Sequence, residues 1–186
     1  MKARDWFHNR VVAAGLLLFA LALPGAAQTP TLDDLFEALK SADAGESQQL
    51  EQEIWTEWSK SGSAAMDLLL QRGRDATMAG ENEAAIEHLT ALTDHAPDFA
   101  EGWNARATAY YQAGLYGPAI EDIARTLTLN PRHFGALSGL GMIFEDLGKP
   151  DKALEVYRAA LAIHPHLQGV LDAVARLEAE TAGQDL

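Results

Sequence analysis

Between residues 66 and 167 the apolar positions recur at helical intervals. Trp103, Ala107 and Tyr110 stand at i, i+4 and i+7, one face of a helix. Ala119, Ile123 and Leu127 stand at i, i+4 and i+8, the face of a second helix. Gly114 falls between the two, where a tight helix–helix turn needs a residue that tolerates positive φ. Pro118 suits the first turn of the second helix and Pro131 ends it. The pattern predicts a helical hairpin that cannot bury its apolar face alone.

Shifted by 34 positions, the chain falls on itself without a gap. Pro97, Pro131 and Pro165 align, as do Gly80, Gly114 and Gly148, and Ala85, Ala119 and Ala153. Bulky and small columns alternate: Leu69, Trp103, Leu137 and then Gly73, Ala107, Gly141. Glu87, Glu121 and Glu155 form a charged column. The arrangement at Trp103, Ala107, Tyr110, Ala119 and Pro131 resembles the tetratricopeptide repeat (TPR). The third unit matches through Leu137, Gly141, Phe144, Ala153, Tyr157, Ala160 and Pro165. The first matches through Leu69, Gly73, Ala85 and Pro97, with Ala76 in the aromatic column. The resemblance implies an all-α fold, a TPR α-solenoid of helix-turn-helix hairpins. It also implies a concave surface, lined by the first helix of each unit, that binds peptides or protein segments. The units run 66–99, 100–133 and 134–167. Trp103 and Tyr110 are expected in the core, and Trp103→Ala is expected to cost about 3–5 kcal/mol.

Residues 28–65 read as an N-terminal helical hairpin cap. One step of 34 back from the first unit places Leu35, Leu39, Trp55 and Trp58 on core columns, but Glu46 where Gly is expected and Ser63 where Pro is. Leu32, Leu35, Phe36 and Leu39 make its first apolar stripe; Leu50, Ile54 and Trp58, with Trp55 beside them, make its second. Residues 168–186 read as a C-terminal capping helix and tail, in which Leu171, Val174 and Ala175 continue the core columns.

The first 27 residues have a different character. Lys2, Arg4 and Arg10 precede an uncharged apolar run of 13 residues, Val11 to Leu23, and then Pro24, Gly25, Ala26 and Ala27. This is the pattern of a secretory signal cut after Ala27. The run is short of the roughly 20 residues that span a bilayer. Export to the periplasm is the expected destination; a membrane enters only if the segment stays uncleaved. Removing 1–27 takes the net charge from −13 to −15. Such a chain repels nucleic-acid phosphates and favours basic or neutral protein partners. The absence of cysteine excludes disulfides, thiol catalysis and cysteine zinc sites.

Catalytic patterns are missing. No G-x-S-x-G, H-E-x-x-H, Walker phosphate loop or EF-hand loop occurs. Gly139-Leu140-Gly141 lies inside a predicted helix and reads as a close helix contact. His88 and His95 share a helix; His133, His164 and His166 lie at repeat boundaries, where they could approach one another. Zinc needs three or four converging ligands, and the carboxylates are dispersed over helix faces. The chain reads as a non-enzyme without cofactor or metal. Arg72 and Arg106 share a column that is apolar at Leu140, so each should lay its stem on the core and pair with an acid, the Glu87 and Glu121 column being one source.

The candidate partner-binding residues are those on first helices outside the core columns: Leu70, Arg74, Asn104, Thr108, Tyr111, Ser138 and Met142. Some family members clamp a C-terminal carboxylate with lysines and asparagines in this groove; here only Arg74 and Asn104 match such parts. The leading reading is an exported adaptor, scaffold or assembly factor that holds a protein or peptide in the groove. The alternative is a self-associating structural subunit of a cell-envelope complex, a homo-oligomer built on the Trp55/Trp58 hairpin.

Overall fold

The computed structural model describes residues 30–184. The expected signal segment 1–27 lies outside the described residues. Among those described, every regular element is a helix: α1 (Leu32–Ser41), α2 (Ala44–Trp58), α3 (Ala64–Met78), α4 (Asn82–His95), α5 (Ala100–Gln112), α6 (Tyr116–Leu129), α7 (Phe134–Asp146), α8 (Pro150–Ile163) and α9 (Gln168–Gln184). No described helix is long and apolar enough to cross a membrane. Helices α5, α7 and α9 begin 34 residues apart, and so do α4, α6 and α8. The period in the sequence is thus a period in space.

The turns repeat with the same fidelity. Gly114 has φ of +72°, and Gly80 and Gly148 match it at +75° and +65°. Behind each, the chain closes the helix in the same way: Leu115 N–H donates to Tyr110 O at 2.8 Å, and Glu81 and Lys149 repeat this with Ala76 and Phe144. Both the left-handed residue and the 6→1 bond are needed to satisfy the last carbonyls of a helix that turns sharply.

Within each hairpin a small residue faces a large one. A Cβ on Gly73 would sit 2.3 Å from Leu89 Cγ, and one on Gly141 would sit 2.2 Å from Tyr157 Cε1. In the middle unit the pair is Ala107 and Ile123, both buried in one cluster. The columns therefore compensate each other in size, as close packing demands. The core follows the stacking: one cluster joins α3, α4 and α5 around Leu70, Leu89 and Leu92; the next joins α5, α6 and α7 around Ile123 and Ile143; a third joins α8 and α9 around Tyr157, Val170 and Leu177.

Two expectations about the core change. Trp103 is only half-buried. Its Nε1 donates to Pro97 O at 3.0 Å, and the guanidinium groups of Arg106 and Arg125 lie 4.9 and 5.8 Å from its ring. Truncation leaves a surface dent rather than a sealed cavity, so its cost falls to about 1–3 kcal/mol. Tyr110 is likewise half-buried, at the edge of the middle cluster.

The hairpin α1–α2 does not stack on α3 as α4 stacks on α5. Thr31 and Asp43 cap its helices through side-chain oxygens. Its apolar face, Leu35, Phe36, Leu39, Ile54 and Trp58, packs on Phe134 at the start of α7, with Ile163 and Leu167 alongside. It reaches past the first unit to the far end of the array.

Candidate functional site

The first helices α3, α5 and α7 lie side by side, and each second helix is wedged behind, against the first helix that follows. The first helices thus form the inner layer of a solenoid, whose concave face is the usual working surface. Between α5 and α7 this face opens into a cavity of about 190 Å³. Asn104, Thr108 and Tyr111 line it from α5, and Ser138 and Met142 from α7. Five of the seven predicted groove residues therefore share one site. Its floor is hollow because α7 carries the small Ala136 and Gly139 there, a Cβ at Gly139 meeting nothing closer than 3.9 Å. Met142, 44% exposed, stands at the mouth.

The other two predicted residues do different work. Leu70 is 2% exposed and belongs to the core between α3, α4 and α5, so it cannot touch a partner. At the position of Asn104 and Ser138, the first unit thus carries an apolar side chain that packs against α4 and α5. Arg74 lines a second cavity of about 390 Å³ between α3 and α5, together with Asn104 and Thr108. It is not a free cation: Nη2 donates to Glu101 Oε1 at 2.5 Å, and Nη1 donates to Ser59 Oγ at 3.0 Å.

Glu101 is the residue that the sequence pattern hides. It is 2% exposed, yet its carboxylate accepts from Arg74, from Asn104 Nδ2 at 3.3 Å, and from His133 Nε2 at 2.8 Å. His133 Nδ1 accepts from Ala136 N–H as the cap of α7, which leaves Nε2 as the donor to Glu101. A buried carboxylate is tolerated only with partners of this kind. An acid in the first turn of a helix ordinarily reads as a solvated dipole partner, so nothing local announced its burial. The faint signal is its column, which runs Asp67, Glu101, Gly135 and so changes character at every unit.

The histidines do not converge. Among the described residues no three His, Asp or Glu side chains gather as metal ligands. Instead His133, His164 and His166 each tie the hairpin to the array. The ring of Trp58 stacks on His133 with centroids 4.2 Å apart. His164 Nε2 faces Glu51 Oε2 at 3.3 Å, and His166 Nε2 donates to Ala42 O at 2.8 Å. Arg132 completes the joint, donating to Asp33 at 2.5 Å and lying 4.2 Å from the Phe36 ring centre. Trp58 is 8% exposed and Trp55 half-buried. The expectation that this tryptophan pair offers an outward self-association surface fails, because the pair is consumed inside the molecule.

Beyond the joint, α2, α7 and α9 surround a third cavity of about 580 Å³, which shares Ser138 and Met142 with the first. Glu51 and Glu145 stand in its wall. The hydrogen bond from His164, together with that from Trp55, holds the Glu51 carboxyl below the ordinary glutamate range. Tyr157 donates to Glu145 at 2.7 Å; burial, then that bond, pushes its hydroxyl well above the tyrosine range. Arg176 also donates to Glu145.

The two column-mate arginines differ. Arg106 forms a fork with Asp122, Nε to Oδ2 at 2.7 Å and Nη2 to Oδ1 at 2.9 Å, and its Nη1 reaches Thr93 at 2.9 Å. The acid is Asp122, not the predicted Glu121; Glu87 and Glu121 are exposed. Arg72 is exposed as well, because the place of Asp122 is taken by His88 in its unit.

A family model described as tetratricopeptide repeat matches residues 70–127 and 105–167. A TPR repeat-containing protein of Rhizobium etli is 37% identical over 153 residues, which are 82% of this chain and 75% of that protein. The chain belongs to the tetratricopeptide repeat family. Small glutamine-rich tetratricopeptide repeat-containing protein 2 of Saccharomyces cerevisiae is 32% identical over 53% of this chain, a match that takes in 28% of that protein. The first TPR of Spaghetti (RPAP3), solved with the HSP90 peptide SRMEEVD, has a TM-score of 0.61 at 22% identity, covering 64% of this chain and 95% of that one. The crystal structure of MamA has a TM-score of 0.59 at 19% identity, covering 80% and 85%. At these identities the solved structures show the shared fold.

Proposed function

We propose that this chain is an exported, periplasmic protein-interaction module that holds a segment of another envelope protein in its concave groove. The carrying observation is the open cavity where Asn104, Thr108, Tyr111, Ser138 and Met142 meet. Peptide-bound relatives of the same fold support the mode of binding. Their acidic tail is a poor model for the partner here. Arg74 and Asn104, the two residues that could clamp a carboxylate, are already held by Glu101. The partner is neutral or basic, in keeping with a net charge of −13. Export rests on the segment 1–27, which pairs a basic start with an apolar run and small residues up to Ala27.

The test is crosslinking capture in cells that express the full chain, against a Thr108→Ala, Tyr111→Ala, Met142→Ala variant. These side chains face the groove without holding Glu101, so the variant should fold. A prey lost with the variant establishes the groove as the site; a prey caught equally by both removes it. Cell fractionation and mass measurement of the same protein decide export: a periplasmic species beginning at Gln28 is expected, and a cytoplasmic species of full mass would refute it.

A further inference from the structure

We infer that the groove reads a segment in which an aliphatic side chain lies next to a lysine or arginine. This rests on the groove reading above and gives it a chemistry. The cavity between α5 and α7 has polar residues at its rim, but their donors are turned to the chain itself, leaving the hydroxyl oxygens and Asn104 Oδ1 as acceptors. Thr108 Oγ1 donates to Asn104 O at 3.1 Å, Ser138 Oγ donates to Phe134 O at 2.8 Å, and Asn104 Nδ2 faces Glu101. What remains toward an occupant is mainly apolar: Ala107, Gly139, the ring of Tyr111 and the exposed Met142. A hollow of about 190 Å³ with such walls suits one aliphatic side chain. Methionine at the mouth accommodates leucine, isoleucine or methionine without a fixed shape.

Across the shared wall of Ser138 and Met142 the field is negative. Glu51 is about one-third exposed and accepts from Trp55 and His164; no Lys or Arg pairs with it among the described residues. Glu145 has one cation, Arg176, which Glu180 shares at 3.6 Å. Asp146, next to Glu145 at the end of α7, accepts from the Tyr116 hydroxyl at 3.0 Å. The two arginines near the groove, Arg74 and Arg176, are both bound to carboxylates. A cationic side chain entering beside the aliphatic one meets acids on the α2 and α7 walls, whereas a carboxylate tail meets no free cation there.

The test pans a random phage-displayed peptide library on protein expressed from the full chain, and then titrates the winning peptides by fluorescence anisotropy. Gly139→Leu is the blocking variant. A Cβ at Gly139 finds its nearest neighbour, Ile123 Cδ1, at 3.9 Å, so the new side chain fills the cavity without a backbone clash. The expected winners carry leucine, isoleucine or methionine beside lysine or arginine. Their binding should weaken about tenfold or more with Gly139→Leu and with serine at the peptide's aliphatic position. It should also weaken with Glu51→Gln and with added salt. Met142→Lys, at a half-exposed position, is the second variant and should repel the same peptides. Acidic winners lost with Gly139→Leu would overturn this inference and leave the groove reading standing. Basic winners indifferent to their aliphatic residue would also overturn it, as diffuse charge attraction. Winners that bind wild type, Gly139→Leu and Met142→Lys alike would overturn both readings.

Discussion

Gly135, in the first turn of α7, lies directly beneath the indole of Trp55 from α2. A Cβ at Gly135 would sit 2.6 Å from Trp55 Cη2 and 2.8 Å from Cζ2. The third repeat thus gives up a side chain to receive the N-terminal hairpin, which crosses past the first unit to get there. The same column carries Glu101 in the second repeat, and that carboxylate reaches His133, on which Trp58 stacks. Hairpin and array meet through one column used in two ways.

Gly135→Ala should therefore destabilise the docked hairpin by about 1–3 kcal/mol, the usual cost of overfilling a packed contact. The indole is rigid and held on three sides by Trp58, His133 and Phe134, so it cannot swing clear. Urea melts should show the loss, and combining Gly135→Ala with Trp55→Ala should cost less than the two single changes together. Full additivity would mean that the two residues do not meet.

Two glycines two positions apart in α7, and so on opposite faces, should respond with opposite signs. A Cβ on Gly141 collides with the buried ring of Tyr157, so Gly141→Ala should cost about 1–3 kcal/mol. Gly139→Ala meets nothing closer than 3.9 Å and removes a flexible residue from a helix interior, so it should gain about 0.5–1 kcal/mol. Thermal melts of the two variants separate these outcomes; equal effects would show that α7 does not sit at this rotation.

Much of this was legible in the chain, and the reason is repetition. A column such as Gly80, Gly114, Gly148 is read three times over, and each reading constrains the others. Asn104, Thr108, Tyr111, Ser138 and Met142 followed from the same register, whereas Leu70 packs into the core and Arg74 is held by Glu101. The hairpin broke the logic because it does not obey the 34-residue step. Its apolar stripes were visible, but no local pattern says that Trp55 lands on Gly135, some eighty positions away. Glu101 and His133 were hidden for a related reason: each looks like an ordinary cap or surface residue until the hairpin covers it.

Arg106 and Asp122 make a prediction that the repeat itself supplies. The corresponding positions are Arg72 and His88 in the first unit and Leu140 and Val156 in the third. The fork is largely buried, with side-chain exposures of 13% and 6%. Asp122→Ala leaves the Arg106 guanidinium without its acid and should cost about 2–4 kcal/mol. Replacing both at once, Arg106→Leu with Asp122→Val, copies the third unit and should cost far less than Asp122→Ala. Urea melts of the two variants decide it: a double variant as unstable as the single would show that the pair carries stability of its own.

Acid should act on the hairpin first. The carboxyls held below their ordinary values are Asp34 and Asp43 at its two helix caps, Glu51 against His164, and Asp67, which accepts from Ser61 just beyond it. A carboxyl whose value is depressed on folding stabilises the folded form above its ordinary value, 4.5 for Glu51, and loses that contribution as pH falls through the lower, folded value. Protonated Glu51 also stops attracting His164 across the joint. Below pH 4.5 the hairpin should therefore release before the array unfolds. In a Trp6→Phe, Trp103→Phe background, which leaves Trp55 and Trp58 as the remaining tryptophans, their emission should redden while helical circular dichroism persists. Glu51→Gln should flatten the pH dependence of that shift. Emission and helicity lost together, at one midpoint that Glu51→Gln leaves unchanged, would show that the hairpin and the solenoid titrate as a single cooperative unit.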